Sequence, residues 1–107
     1  MARHGNENSN LAEHHLYEIR DREFNDVYKY GICGDSLLED GSSPRALRQV
    51  KELNRAVRWL RFFHKVVVTG ISGRLKAKKL ESEYIDQHKA SASSHRSLIL
   101  KLKLFFD

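Results

Sequence analysis

The sequence has few of the residues that cross-link or interrupt a fold, since its 107 residues include one cysteine, one proline, one tryptophan and one methionine. The lone thiol, Cys33, cannot form an internal disulfide and excludes a zinc site built from several cysteines. No segment approaches the roughly 18 consecutive apolar residues of a membrane span. Residues 1–10 are polar and contain no apolar stretch of the kind a signal peptide requires. We therefore expect a soluble chain, cytoplasmic as it stands, that folds without an oxidising compartment.

Acidic residues are fewer than basic residues. Nineteen Lys and Arg oppose fourteen Asp and Glu, which leaves a net charge of +5 with neutral histidines. This balance favours a polyanionic partner such as nucleic acid, although basic domains without such partners are common. Hydrophobic residues make up 40% of the chain and charged residues 31%, so the chain can bury a core. Its length is that of one domain.

Apolar periodicity and turn residues predict five elements between a flexible leader, residues 1–13, and a linker with an unassigned tail, residues 90–107. Residues 14–89 form the predicted domain. The predicted elements are strands at 15–19, 27–33 and 62–69, a helix from Pro44 to about Arg58, and a helix after Gly73 that reaches His88. The order β-β-α-β-α indicates an α+β fold with a small antiparallel sheet of about three strands and flanking helices.

The C-terminal tail alternates leucine with lysine in residues 98–104 and then ends in two phenylalanines and an aspartate. Such a pattern is typical of a strand and would favour aggregation if left unpaired. Three interpretations remain open: a fourth strand, an edge that binds a partner, or a non-native end.

Glu81 stands out on the second predicted helix because its neighbours at helical spacing are Ala77, Leu80, Tyr84 and Ile85. A carboxylate on an apolar face is paired, bound to metal or catalytic, because burying it alone costs several kcal/mol. The alternative is a position at the edge of that face, paired with a lysine such as Lys78. Glu83, by contrast, is predicted to face solvent.

Basic residues are concentrated on the first predicted helix. Arg45 lies in the first turn, where free N–H groups and the helix dipole favour a phosphate. Arg48, Lys51, Arg55 and Arg58 follow along one stripe, whose mutual repulsion a phosphate backbone would relieve. Each feature also has a simpler interpretation. Arg45 can be an ordinary exposed arginine, and the stripe can be a solvated face of the helix.

Three tyrosines and a lysine lie on the two predicted hairpin strands: Tyr17, Tyr28, Tyr30 and Lys29. Strict alternation places Tyr28 and Tyr30 on one face of the sheet and Lys29 on the other. These residues either take part in a site or stabilise the sheet as cross-strand pairs.

Taken together, these residues resemble the GIY-YIG nuclease family, and more narrowly its URI-type branch as found in bacterial polymorphic toxins. The similarity runs over residues 15–88. Residues 16–19, Leu-Tyr-Glu-Ile, are similar to the first family motif, and residues 28–32, Tyr-Lys-Tyr-Gly-Ile, to the second. Residues 43–45, Ser-Pro-Arg, are similar to the start of the arginine helix, and residues 79–81, Lys-Leu-Glu, to the glutamate helix.

The resemblance implies hydrolysis of phosphodiester bonds with one divalent metal ion, Mg²⁺ or Mn²⁺. By position, Glu81 would ligate the metal and Arg45 would stabilise charge on the phosphate. Tyr17 would activate or orient the attacking water, with support from Lys29 or Tyr30.

These implications give a metal-dependent endonuclease as the first hypothesis, with DNA or RNA as its partner. As a toxin module it would be delivered as part of a secreted protein and would have an immunity protein as a further partner; no membrane partner is expected. Two other hypotheses stay open. One is a domain of the same fold that binds nucleic acid without catalysis, and the other is an unrelated basic α+β module for protein interaction.

Overall fold

Five secondary-structure elements make up residues 11–91, the part of the chain that the computed structural model describes. They are β1 (Glu13–Asp21), β2 (Asp26–Cys33), α1 (Pro44–Val57), β3 (Phe62–Ser72) and α2 (Arg74–Ser91). The order confirms the predicted β-β-α-β-α arrangement and the α+β class. The first ten residues of the predicted leader and the strand-like run in the tail lie outside the described residues. No helix within residues 11–91 is long and apolar enough to span a membrane.

The sheet is antiparallel with strand order β2-β1-β3, so that β1 is central and β2 is an edge strand. Every residue from 14 to 19 is buried, as expected for a strand covered on both faces. Tyr17 and Ile19 pack in a cluster with residues of α1. Leu16, on the alternate face, packs with Ala77 of α2. The two helices therefore lie on opposite faces of the sheet.

A β-bulge in β2 overturns the predicted alternation of its tyrosines. Lys29 pairs with Ile19 and Val27 with Arg20, which leaves Tyr28 as the extra residue. Tyr28 consequently packs against Phe62, with ring centroids 5.0 Å apart, on the side of α1. Tyr30 instead belongs to the cluster on the side of α2. The prediction that Tyr28 and Tyr30 share a face is wrong, because one inserted residue shifts the period of two.

The third strand is longer than its sequence predicts. The predicted end at Gly70 is wrong, since β3 continues through Gly70 to Ser72. Gly70 has a φ of 69°, a left-handed conformation open to glycine without steric cost. The pairing of β1 with β3 shifts register between His14 and Leu16, near this glycine. Gly70 thus bends the strand where the sequence predicts an end.

Helix α1 starts and stops where local signals predict. Ser43 is the N-cap, and its Oγ accepts a hydrogen bond of 3.3 Å from the N–H of Ala46. Pro44 occupies the first position of the helix, where a missing N–H has no cost. Arg58 ends the helix in the left-handed region, with φ 65°, and its N–H donates to the carbonyl of Asn54.

The predicted inner face of α2 is confirmed. Ala77 is fully buried and the other five predicted residues are partly buried: Leu80, Glu81, Tyr84, Ile85 and His88. Glu83 is exposed, also as predicted. The helix continues through Ala90 to Ser91, two residues beyond the predicted domain boundary.

A buried ion pair ties the end of β1 to the start of β3. Asp21 is 2% exposed and receives two hydrogen bonds from Arg61, from Nε to Oδ1 and from Nη2 to Oδ2, both of 2.9 Å. Arg61 also contacts the carboxylate of Glu23 at 2.9 Å, but that side chain is 50% exposed. The same guanidinium therefore makes one buried and one solvent-screened ion pair.

Replacing Asp21 by alanine is expected to lower the free energy of unfolding by about 3–5 kcal/mol, because Arg61 loses its buried counter-charge. Glu23→Ala, which removes the exposed partner of the same guanidinium, should cost less than about 1 kcal/mol. Urea unfolding of both variants measures the difference. Equal losses for the two variants would contradict the conclusion that the buried ion pair of Arg61 stabilises the fold more than the exposed one.

Candidate active site

One cleft collects all five residues that the sequence predicts as catalytic: Tyr17, Lys29, Tyr30, Arg45 and Glu81. They come from β1, β2, α1 and α2, so four separate elements contribute. Because the helices cover opposite faces of the sheet, side chains from both can meet beyond the edge strand β2. The remaining lining residues in the described part of the chain are Gly31, Ile32, Gln49, Arg74 and Lys78.

Tyr17 is held firmly. It is 1% exposed, and its hydroxyl donates a hydrogen bond of 2.8 Å to Oε1 of Gln49. Gly31, which pairs with Tyr17 from β2, provides the space for the ring, since a Cβ at Gly31 would overlap Cζ and the hydroxyl oxygen of Tyr17. Burial raises the pKa of Tyr17, and the nearby Arg45 only partly offsets this shift. The phenol therefore stays protonated near neutral pH.

Arg45 connects the first turn of α1 to the end of β2. Its Nη1 donates a hydrogen bond of 3.0 Å to the carbonyl oxygen of Ile32. A guanidinium has five N–H donors, so this contact fixes the side chain and leaves donors for a ligand. Arg45 thus stands in the first turn of α1, where the positive end of the helix dipole also favours an anion.

Glu81 is partly buried on α2, and burial raises the pKa of its carboxyl group. The positive charges of Lys29, Lys78 and Arg74 act against that shift. No salt bridge within 4.0 Å joins Glu81 to a basic residue in residues 11–91. The sequence-based alternative, a paired Glu81 at the edge of the face, is therefore replaced by a carboxylate that faces several cations at longer range.

The two other predicted residues differ in their surroundings. Lys29 is exposed and lies close enough to Glu81 to affect its pKa. Tyr30 is half-buried, with its ring 5.8 Å from that of Tyr84 and 6.0 Å from that of His88. Burial also raises the pKa of Tyr30. The ring of Tyr30 thus packs β2 on α2, whereas Lys29 presents an ammonium group to the cleft.

Three cleft residues with polar side chains were not predicted as members of the site: Gln49, Arg74 and Lys78. Helical spacing contains a signal for two of them. Gln49 is four residues after Arg45 and Lys78 three before Glu81, so each shares a helix face with a predicted residue. Arg74 has no such signal, because its position depends on where α2 begins.

The cleft is strongly cationic. In the part of the chain that the structure describes, the cleft is lined by four basic side chains, Lys29, Arg45, Arg74 and Lys78, and by one carboxylate, that of Glu81. Within residues 11–91 no three His, Cys, Asp or Glu side chains come close enough together to hold a metal ion. A single carboxylate nevertheless fits Mg²⁺, which keeps several waters and takes further oxygen ligands from a phosphate.

The basic stripe lies outside this lining. Arg48, Lys51, Arg55 and Arg58 are all exposed along α1, as an open binding face or a solvated one requires. Arg45 and Gln49 at the cleft belong to the same helix. The stripe therefore continues outward from the cleft along α1.

Two histidines support the start of α1, and with it Arg45. Nε2 of His15 lies 2.7 Å from Oγ of Ser43, the N-cap residue. The N–H of Ser43 donates to Nε2 of His64 over 3.3 Å, which requires this nitrogen to be unprotonated. Burial is the main cause that lowers the pKa of both histidines. Both are therefore neutral in the folded protein near pH 7.

The sign of the resulting pH dependence follows from linkage. The folded-state pKa of each histidine lies below its unfolded value of about 6.5, so the unfolded chain binds protons first as the pH falls. Their contribution to stability is complete above that value and is lost on further acidification. The melting temperature should fall between pH 7.5 and pH 5.5, more steeply than in His64→Gln, whose amide oxygen can accept from Ser43 without titrating. An identical slope in this variant would remove His64 from the explanation.

Comparison with known proteins shows the family of this chain. Residues 7–92 match the family model described as URI fold toxin 2. No curated protein and no solved structure matches the chain. The matched region contains the whole of the sheet, both helices and every lining residue of the cleft. Because the match covers well over half of the chain, the protein belongs to the URI fold toxin 2 family.

Proposed function

We propose that this toxin domain is a metal-dependent endonuclease of the GIY-YIG type, which hydrolyses phosphodiester bonds of DNA or RNA. The observation that carries the proposal is the composition of the cleft: one partly buried carboxylate among four cations, beside a buried tyrosine. A phosphodiester needs positive charge for its oxygens, a hard oxygen ligand for a metal and a group that positions water.

Arg45 is the proposed phosphate ligand. Its contact with the carbonyl of Ile32 fixes the guanidinium before substrate arrives, so little side-chain entropy is lost on binding. The charge that develops on the phosphoryl oxygens would then meet a donor already in place. Arg74 and Lys78 add positive charge from the opposite helix.

Glu81 is the proposed ligand of Mg²⁺ or Mn²⁺. When bound, such an ion polarises the phosphate and lowers the pKa of a water molecule. The positive charges of Lys29, Lys78 and Arg74 oppose binding of a divalent cation beside Glu81, whereas the negative charge of a phosphate would offset this repulsion. The arrangement therefore favours the ion together with substrate.

Tyr17 is the proposed positioning group for the attacking water. Its proton is donated to Gln49, so the lone pairs of the phenol oxygen are available to accept a hydrogen bond from water. Since burial raises the pKa of Tyr17, the residue orients water rather than removing its proton. Lys29 would stabilise negative charge at the same place, and Tyr30 would hold β2 against α2.

A nuclease of this kind also damages the cell that makes it. The toxin family therefore suggests an immunity protein as a partner, and delivery as part of a secreted protein is included in the proposal. A domain of the same fold that binds nucleic acid without cutting it shares the cationic cleft and the stripe. Cleavage, rather than binding, distinguishes the two functions.

The decisive experiment incubates the protein with plasmid DNA and with total RNA, in Mg²⁺, Mn²⁺ or EDTA. Metal-dependent cutting is expected, and Glu81→Gln should reduce its rate at least about 100-fold, because it removes the carboxylate proposed to hold the metal. Glu83→Gln is the matched control, since it makes the same chemical change at an exposed position two residues away. Its rate should stay within about twofold of the wild type.

Binding measurements on the same variants complete the test. Glu81→Gln removes a negative charge from a cationic cleft, so its affinity for nucleic acid should be equal to or higher than that of the wild type. Cutting in EDTA, or equal rates for Glu81→Gln and Glu83→Gln, would contradict the proposed mechanism. Binding of nucleic acid with no cutting in either metal would favour the non-catalytic alternative.

A further inference from the structure

The turn between α1 and β3 displays two large apolar side chains. Trp59 is 49% exposed and Leu60 is 77% exposed, although both follow directly after a well-packed helix. Trp59 is the only tryptophan of the chain. Exposed apolar side chains that adjoin one another are more informative than single ones, because a contiguous apolar surface marks binding sites.

Several hydrogen bonds hold the backbone of this turn. The side chain of Asn54 donates to the carbonyl of Phe62 over 3.0 Å and accepts from its N–H over 2.7 Å. The N–H of Arg61 donates to the carbonyl of Trp59 over 2.8 Å. Nε of Arg22 donates to the carbonyl of Leu60 over 3.2 Å. The exposed ring of Trp59 is therefore carried by a rigid support, which lowers the entropy cost of using it for binding.

Three basic residues line one groove together with Trp59. The surface groove at Trp59 is lined by Lys51, Asn54, Arg55, Arg58, Trp59 and Leu60. No acidic side chain among residues 11–91 lines this groove. Lys51, Arg55 and Arg58 are members of the basic stripe that starts near the cleft. An aromatic face among cations is the combination with which proteins hold nucleic-acid single strands, where bases stack and phosphates pair with the charges.

We propose that Trp59 is a stacking platform for an unpaired base, and that the groove makes single-stranded nucleic acid the preferred substrate of this domain. The inference rests on the proposed nuclease function and adds the substrate class to it. A base within a duplex has both faces covered by its neighbours, so only an unpaired base offers a free face to Trp59. Lys51, Arg55 and Arg58 bind the phosphates on either side of that base.

The distance between groove and cleft fits one continuous strand. Arg45 and Arg58 are 13 residues apart on α1 and its cap, which corresponds to about 20 Å along the helix. A strand covers this distance with on the order of six nucleotides at B-form spacing, and with fewer when extended. The phosphate cut in the cleft and the base stacked on Trp59 thus belong to one short segment.

Charge argues against a second copy of the chain in this groove. Two such grooves facing each other would bring the cations Lys51, Arg55 and Arg58 of one copy against those of the other. A polyanion removes this repulsion, and an aromatic base covers Trp59 at the same time. Nucleic acid satisfies both the charge and the apolar surface.

The test uses the fluorescence of Trp59, which reports this position alone because the chain has no other tryptophan. The full chain is titrated in EDTA at low salt with single-stranded DNA and RNA of about 12 nucleotides, within the site sizes of single-strand binders, and with the matching DNA duplex. Quenching by the single strands is expected, with affinity at least about tenfold higher than for the duplex.

Two variants separate stacking from charge. Trp59→Ala should weaken binding of single strands by about 5- to 100-fold and leave binding of the duplex unchanged, whereas Trp59→Phe should retain most of the affinity. Variant affinities are measured by anisotropy of labelled oligonucleotides. Unchanged melting temperatures confirm that both variants fold.

Three results would overturn the inference: equal affinity for single and double strands, no effect of Trp59→Ala, or a wild-type dimer that Trp59→Ala dissociates in sedimentation. Each of these is compatible with metal-dependent cutting, so the nuclease proposal would survive. Absence of binding to any nucleic acid, together with absence of cutting in Mg²⁺ or Mn²⁺, would instead remove both proposals.

Discussion

Burial of β1 on both faces is the constraint on which the rest of this fold depends. A central strand whose residues 14–19 are all buried needs a helix on each side, and α1 and α2 meet that need. Side chains of the two helices can then approach each other only past an edge of the sheet. The cleft lies at the edge formed by β2, where Arg45 of α1 and Glu81 of α2 both line it. The absence of a side chain at Gly31 allows the ring of Tyr17 to reach the same place.

The charge distribution of the cleft is unbalanced in the free protein. Lys29, Arg45, Arg74 and Lys78 repel one another, and one carboxylate cannot neutralise four positive charges. Glu81 in turn is partly desolvated, which raises its pKa and disfavours its charged form. Under the proposed function, a phosphate would neutralise the cations and a divalent ion would stabilise the carboxylate. This repulsion among the cations of the free protein is the reason for proposing a phosphodiester as the ligand of the cleft.

The sequence predicts those parts of the fold that depend on local chemistry. The cap at Ser43, the helix start at Pro44 and the inner face of α2 follow from short-range rules, and the structure confirms them. The predictions that were wrong concern irregular strand geometry. One extra residue at Tyr28 shifts the alternation of β2. Gly70, with a positive φ, bends β3 without ending it. Local patterns do not specify bulges, because pairing with the neighbouring strand decides them.

The candidate site is predictable to a similar extent. Inward spacing identifies Glu81, and a helix start identifies Arg45. The contact of Tyr17 with Gln49 spans 32 positions of the chain, and that of His15 with Ser43 spans 28, so neither is visible in a local pattern. Arg74 joins the cleft only because α2 begins directly after β3.

The central claim is that Glu81 holds a divalent ion together with a phosphate. Binding of Mn²⁺, followed by electron paramagnetic resonance, tests it most directly, using the protein alone and with a cleavage-resistant phosphorothioate single strand. The account predicts weak binding to the protein alone and binding at least about tenfold tighter in the complex, an increase that Glu81→Gln abolishes. Tight binding without nucleic acid, or the same increase in Glu81→Gln, would contradict it.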